Sequence, residues 1–309
     1  MDYNEHPLSN YAQFKWSFSR DRTFRKCLRQ YYYRYYGSSQ AWYYPGSAIW
    51  SAYVMSKLQT RAMWRGEVIH HVINVVFNNY LGKNPIPYEK ADEILTDIMT
   101  FDWESSRDWL NAEDPLAFHG LIDHYYGGWD YRGNGFEEDL KIARKHLRGL
   151  YQSNMLNEIT DKGIQVLEKE KFSEFAIQNV PVILKIDLAI RNLQGRAFIV
   201  DWKTGRPPGP SASHDDDPEP DGKRQLLLYA LYIHTRWNIP YQKISAQDIY
   251  LADNKQIPVA IDPSDEPASR GGGARSAPPP LLAELPDDLC LDAAGNRGFL
   301  SFASAVDVE

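Results

Sequence analysis

An α/β fold is what this sequence predicts, and three observations predict it. Two β-rich runs, 182–191 and 196–203, flank a short loop that ends in glycine. Long stretches with apolar residues at helical spacing precede them, over 47–81 and 89–155. A further helical stretch from Arg224 and a short strand, Gln247–Ala252, follow. Strands alternating with long helical segments point to a sheet covered by helices.

Taken in chain order, each element has a local reason. Residues 47–81 are apolar at i, i+3 and i+4, with a break expected inside the run. Asn84-Pro-Ile-Pro-Tyr88 ends it, because proline lacks the amide a helix needs. Residues 85–160 then read as a helical insertion, clearest around Asp92-Glu93 and over 137–150, whose Trp103, Trp109 and Trp129 should pack on the core. Glu168 and Glu170 fall on a strand that precedes the hairpin, where either could approach a metal. Residues 204–222, rich in Pro, Gly, Ser and Asp, read as a flexible loop. The domain is expected to span 1–262. The segment 263–309 is of low complexity and unlike the aromatic-rich body.

The hairpin carries the chemistry. Leu193-Gln194-Gly195 suits a type I turn followed by a left-handed residue. Centring on Gln194 sets Asp187 opposite Asp201, about 5 Å apart at Cβ, where like charges are unfavourable. Asp201 and Lys203 share a face, because side chains alternate along a strand. Phe198, Val200 and Trp202 take the other face and read as core. A hard divalent cation resolves the repulsion, since Mg²⁺ is held by one or two carboxylates with waters and phosphate oxygens. Taken alone, the hairpin fits a simple salt bridge to Lys203 equally well.

Two flanking helices supply further candidates. In Trp64-Arg-Gly-Glu-Val-Ile-His70, Gly66, His70, Ile73 and Phe77 share one helix face. Gly66 costs about 1 kcal/mol relative to alanine, which close approach of another element would explain. His70 then points inward, as a metal ligand or as a hydrogen-bonded core histidine. Gln225 and Tyr229 are four apart and share a face, either to serve a phosphate and Lys203 or as the polar edge of an amphipathic helix.

Together these pieces resemble the RecB-like branch of the PD-(D/E)xK nucleases, which includes CRISPR-associated RecB-like exonucleases. Five pieces stand in the family's order: Ser17-Phe18-Ser19 leading to Cys27-Leu-Arg29-Gln-Tyr-Tyr-Tyr33; Gly66-Glu-Val-Ile-His70; Asp187; Val200-Asp201-Trp202-Lys203-Thr204-Gly205; and Gln225-x-x-x-Tyr229. The resemblance covers roughly 13–255. It implies a restriction-endonuclease-like mixed central sheet flanked by helices. It implies His70, Asp187, Asp201 and the carbonyl of Trp202 as metal ligands, Lys203 as the catalytic lysine, and Gln225 and Tyr229 as support for the active site and the DNA strand. The metal would be Mg²⁺ or Mn²⁺, an imidazole ligand suiting the latter. The implied activity is a metal-dependent deoxyribonuclease, exonuclease favoured over endonuclease, acting on single-stranded DNA or duplex ends in repair, recombination or anti-phage defence. A helicase partner is common among relatives, and the resemblance allows a helicase or defence-system partner here. The alternative is a catalytically silent DNA-binding subunit. Some relatives carry an iron–sulfur cluster on four cysteines; with only Cys27 and Cys290, no iron–sulfur cluster is expected. Cys27 reads as a packed helix residue.

Composition bounds the rest. The 309 residues are 43% hydrophobic and 13% aromatic, enough for a sizeable core. No segment has the length and apolarity of a membrane span, and the first residues lack a signal peptide's regions, so a cytoplasmic location and no membrane partner are expected. The net charge of −7 requires that phosphate binding be local. The stretch from Arg20 to Tyr36 offers it, with Arg25 and Arg29 as DNA-contact candidates and most of the tyrosines as core.

Overall fold

The computed structural model describes residues 14–38, 47–109, 119–126, 135–159, 163–207 and 221–261. One five-stranded mixed sheet organises them, in the order β1-β2-β3-β4-β5. Its strands are β1 (Gln165–Ile177), β2 (Val180–Arg191), β3 (Ala197–Lys203), β4 (Ile244–Tyr250) and β5 (Lys255–Val259). Only the β3–β4 pair is parallel, and helix α9 (Asp221–Trp237) lies between those two strands in sequence. A parallel pair needs such a crossover, whereas tight turns suffice for the antiparallel ones.

Turn chemistry sets the registers. Gln178 and Asn179 link β1 to β2 with φ of 48° and 68°, the doubly left-handed pattern of the tightest hairpins. Between β2 and β3, Gly195 has φ 73° and its amide donates to the Asn192 carbonyl at 2.9 Å. Leu188 therefore pairs with Val200, as centring on Gln194 predicts.

The N-terminal helices are α1 (Phe18–Lys26) and α2 (Leu28–Tyr32), followed by a π-helical turn over Tyr33–Gly37. Ser17 caps α1 by accepting from the Arg20 amide. Next come α3 (Ala48–Lys57) and α4 (Arg61–Leu81), separated at the expected break and capped by Ser47 and Thr60. The insertion holds α5 (Tyr88–Ser106), the short α6 (Ile122–Tyr125), α7 (Gly135–Gln152) and α8 (Met155–Glu158). The largest core cluster joins Trp64, Val72 and Phe77 of α4 to Leu95 of α5, Leu147 of α7 and Trp202 of β3. Phe77 stacks on Trp202 with ring centroids 5.6 Å apart. Trp103 packs on this cluster and Trp109 on a smaller one with Val54 and Leu58; Trp129 lies outside the described residues.

Three expectations need correction. The sheet does not end at 247–252, because the chain turns at 251–254 and adds β5 antiparallel to β4. Gly222 is not loop but part of α9. Cys27 is exposed, in extended backbone between α1 and α2, where its Sγ accepts from the Gln30 amide. Residues 208–220 of that loop, the segment 263–309 and Cys290 lie outside the described residues. No helix among the described residues is long and apolar enough to cross a membrane.

Two contacts of the insertion make quantitative predictions. Gly149 of α7 sits where an added Cβ would fall 1.8 Å from the Leu251 carbonyl oxygen. Because backbone cannot yield as a side chain can, Gly149→Ala should cost about 3 kcal/mol in urea unfolding, at the upper end for overpacking. A second contact is electrostatic. The His119 ring lies 2.8 Å from Asp102 and 3.7 Å from Glu67 on α4. Hydrogen bonding to Asp102, then to Glu67, raises its pKa from 6.5 to about 9. Folding thus favours the imidazolium, so this stabilisation is complete below about pH 6.5 and disappears as pH rises through 9. Wild type should exceed His119→Asn by on the order of 1–2 kcal/mol at pH 6, discounting for partial exposure, and lose that margin at pH 10.

Candidate active site

Adjacent strands bring four carboxylates to one rung of the sheet. Glu170 falls between Lys169 and Lys171, which pair with Leu188 and Ile186, so it faces Asp187. The β2–β3 pairing ends at Leu188–Val200, and the next residues along the two strands are Asp187 and Asp201. Asp201 pairs in parallel register with Asp248. The rung thus runs Glu170, Asp187, Asp201, Asp248 across β1 to β4. Like charges this close repel, and Asp187, Asp201 and Asp248 are all buried.

Cations enter the rung at two places. At the β1–β2 end, α4 contributes His70, whose Nδ1 lies 3.3 Å from Glu170 Oε1 and 3.4 Å from Asp187 Oδ1. Its Nε2 lies 3.1 Å from the Trp202 carbonyl. Burial alone would lower the His70 pKa, but Asp187 and Glu170 outweigh it and raise it to about 10. Both ring nitrogens then donate, to a carboxylate and to the carbonyl. Lys185 pairs with the other oxygen of Glu170. Asp187 Oδ2 accepts from the Trp202 amide at 2.8 Å.

At the β3–β4 end the cation is Lys203. Its ammonium pairs with Asp201, donates to Gln225 Oε1 at 3.3 Å and lies 3.5 Å from Asp248 Oδ1. Helix α9 seats Gln225 and Tyr229 over this end. The Gln225 amide donates to Asp201 Oδ1 at 3.3 Å and reaches the Tyr229 hydroxyl at 2.6 Å. Tyr229 in turn donates to the Lys185 carbonyl at 2.7 Å. Burial is the main force on Asp201 and Asp187 adds to it; Lys203 opposes both, and the carboxyl is pushed up to about 7. Burial also lifts Tyr229 well above its ordinary value. On Lys203 burial acts downward, but Asp201 and Asp248 more than offset it and the pKa is raised.

The helix glycine of the histidine motif has its expected cause. An added Cβ at Gly66 would stand 3.1 Å from Thr204 Oγ1, directly after Lys203. Gly66 therefore lets α4 approach the end of β3 and carry His70 to the rung.

Of the four ligands that the resemblance implies, His70, Asp187 and the Trp202 carbonyl lie together, and Glu170 lies with them. One ligand atom from each of His70, Glu170 and Asp187 lies within 4.8 Å of the others. An imidazole, two carboxylates and a nearby backbone carbonyl suit a divalent cation that accepts nitrogen beside oxygen. Asp201 lies outside that group, engaged by Lys203 and Gln225. Glu170 and Asp248 are absent from the sequence-based ligand set. Glu170 has one mark in its backbone: among the described residues, of the six non-glycine positions with positive φ, it alone lies within a strand, at φ 46°. Strain of this kind concentrates at functional sites. Glu168, by contrast, is held by Tyr232 at 2.8 Å and Ser173 at 3.0 Å.

Arg25 and Arg29 sit on the N-terminal helices. Arg25 pairs with Asp21 at 3.0 Å, and the exposed Arg29 lies over the Tyr33 ring at 5.9 Å. Asp21 also lies 3.8 Å from Arg224, the residue before Gln225, so α1 is tied to the base of α9. Tyr31 is core, as expected for most of the tyrosines, and packs on Phe24, Tyr35 and Tyr36.

A family model described as PD-(D/E)XK nuclease superfamily matches residues 15–278. Comparison with curated proteins gave no match.

The two glutamates of β1 separate in a direct metal titration. Calorimetry with Mn²⁺ should find binding to Glu170→Gln and His70→Ala weakened at least about tenfold, a loss that even outer partners of a metal can produce. Glu168→Gln should bind as wild type does; equal weakening by both glutamate variants would reject the assignment of Glu170.

Proposed function

The chain belongs to the PD-(D/E)XK nuclease superfamily, and on that footing we propose that it is a metal-dependent deoxyribonuclease that hydrolyses DNA phosphodiester bonds, acting as an exonuclease at single-stranded or duplex ends. The observation that carries this reading is the single rung on which His70, Glu170, Asp187 and the Trp202 carbonyl adjoin Asp201, Lys203 and Gln225. A metal-binding set beside a lysine suits phosphodiester hydrolysis, the metal polarising the phosphate and activating water while the lysine stabilises developing charge.

His70, Asp187 and the Trp202 carbonyl would hold Mg²⁺ or Mn²⁺, with Glu170 joining them and Asp201 at the adjoining position. When bound, the ion lowers the pKa of water and offsets charge on the scissile phosphate. Lys203 lies beside this set, where its ammonium orients the attacking water and stabilises negative charge that develops on the phosphate. Gln225 bridges Asp201, Lys203 and Tyr229, which fixes the lysine relative to the metal carboxylates. Tyr229 anchors Gln225 to β2 through the Lys185 carbonyl.

The DNA path would pass the N-terminal helices. Arg25 and Arg29 are exposed there beside tyrosines, cations for phosphates and rings for unpaired bases. Repair, recombination or anti-phage defence would use such an activity, with a helicase or another defence component delivering the strand.

The experiment is cleavage of linear and circular DNA, single- and double-stranded, with Mg²⁺, Mn²⁺ or EDTA. Cutting should need the metal, spare circles and fall at least about 100-fold in Lys203→Ala and Asp201→Ala, the scale for losing a group that stabilises transition-state charge. Circular dichroism should show both variants folded. DNA binding without cutting by wild type would leave a silent binding subunit instead.

A further inference from the structure

The row of carboxylates ends at Asp248, which Ile257 of β5 flanks on the far side. We propose that its carboxylate is the positioning partner of Lys203: it keeps the ammonium aimed at the attacking water when a metal draws on Asp201. The inference rests on the nuclease reading above.

Three observations carry it. Asp248 pairs directly with Asp201 in the parallel register and is 6% exposed. A buried carboxylate beside another is costly unless a cation faces both, and Lys203 does. Second, Asp248 Oδ1 is buried with no hydrogen-bond partner among the described residues. It stands 3.5 Å from the Lys203 ammonium, just beyond a bond. A buried acceptor left open is unusual, and a small shift of Lys203 away from Asp201 would close it. An ammonium has three N–H groups, and Asp201, Gln225 and Asp248 provide three acceptors around it. Of the two carboxylates, Asp248 is the one remote from the His70 group. It can therefore hold the lysine while Asp201 serves the metal.

Third, the other side of Asp248 is shaped by a glycine. An added Cβ at Gly222 would fall 2.9 Å from Asp248 Oδ2. Glycine is the poorest helix former after proline, yet it occupies the first turn of α9. The carboxylate needs that space. Gly222 thus does for Asp248 on the α9 side what Gly66 does for Thr204 on the α4 side.

The test measures single-turnover cleavage of linear DNA at saturating enzyme with Mn²⁺, for wild type, Asp248→Asn, Gly222→Ala and the double variant. Asp248→Asn should slow the step by about tenfold or more, with DNA affinity in EDTA and half-saturating Mn²⁺ unchanged. Gly222→Ala should slow it too, and the double variant should be no slower than Asp248→Asn, because both act through one carboxylate. An unchanged rate in Asp248→Asn, or a loss located in DNA affinity, would overturn the proposal. A thermal cycle reads the pair without catalysis. Asp248→Asn should lower Tm in wild type and raise it in Lys203→Met, where the buried carboxylate has lost its cation. The same Tm change in both backgrounds rejects the pairing. Absence of cleavage by wild type sinks the nuclease reading and the catalytic purpose of Asp248 with it, while the thermal cycle still decides the contact.

Discussion

Four carboxylates on one rung of a sheet constitute the constraint around which the rest of this molecule is arranged. Glu170, Asp187, Asp201 and Asp248 occupy neighbouring strands at one level. Each adjacent pair repels, and burial strengthens the repulsion by lowering the local dielectric. Such a row survives only if positive charge is delivered to it from outside the strands that bear it, or by side chains reaching along them. Lys185 and Lys203 reach along β2 and β3, and His70 comes from α4. Burial and Asp187 push the Asp201 carboxyl up against the opposing charge of Lys203, and burial pushes Asp248 up as well.

Delivering those charges dictates where the helices go. Helix α4 must lie close enough to the end of β3 for His70 to reach the Trp202 carbonyl, and Gly66 removes the side chain that would block it. The apolar face of the same helix packs on Trp202 through Phe77, so one residue's ring and carbonyl serve core and site together. Helix α9 approaches with Gln225 and Tyr229, and Gly222 gives room at its first turn. The insertion steadies this frame from behind: α7 seats Gly149 on Leu251, whose amide donates to the Lys203 carbonyl at 3.1 Å. A helix remote in sequence thereby bears on the strand end that carries the lysine.

Much of this was legible before the structure, and the parts that were not have a common cause. The β2–β3 register follows from a three-residue turn centred on Gln194, because local turn chemistry and strand alternation suffice to derive it. Gly66 and His70 were legible because a glycine inside a helix demands a neighbour. Glu170 is legible in the sequence only as one of two acids, with Glu168, on the strand before the hairpin, either of which could approach a metal. What distinguishes it, a positive φ and the register of β1 on β2, is not local in sequence. Asp248 is not legible in the sequence for the same reason: its partner Asp201 is 47 positions earlier in the numbering, and nothing in Gln-Asp-Ile-Tyr announces a parallel neighbour. The turn at 251–254 that starts β5 and the exposed Cys27 are smaller cases: β5 is defined by its pairing with β4, and Cys27 by the local bond its Sγ accepts from the Gln30 amide.

The charge arrangement also reconciles an acidic chain with a nucleic-acid substrate. The net charge of −7 is a property of the whole sequence, whereas a phosphate responds to fields within about 8–10 Å at physiological salt. Within the rung, acid and base are matched nearly one to one, with His70, Lys185 and Lys203 against four carboxylates. A divalent cation that takes His70 as a ligand displaces its proton, because imidazole binds a metal in the neutral form, so the site's negative excess is cancelled and the repulsion of a phosphodiester with it. The metal would act as more than a chemical cofactor on this argument. It would be the switch by which an acidic surface becomes able to accept an anion, so metal loading and substrate capture would be linked steps on one sheet rung.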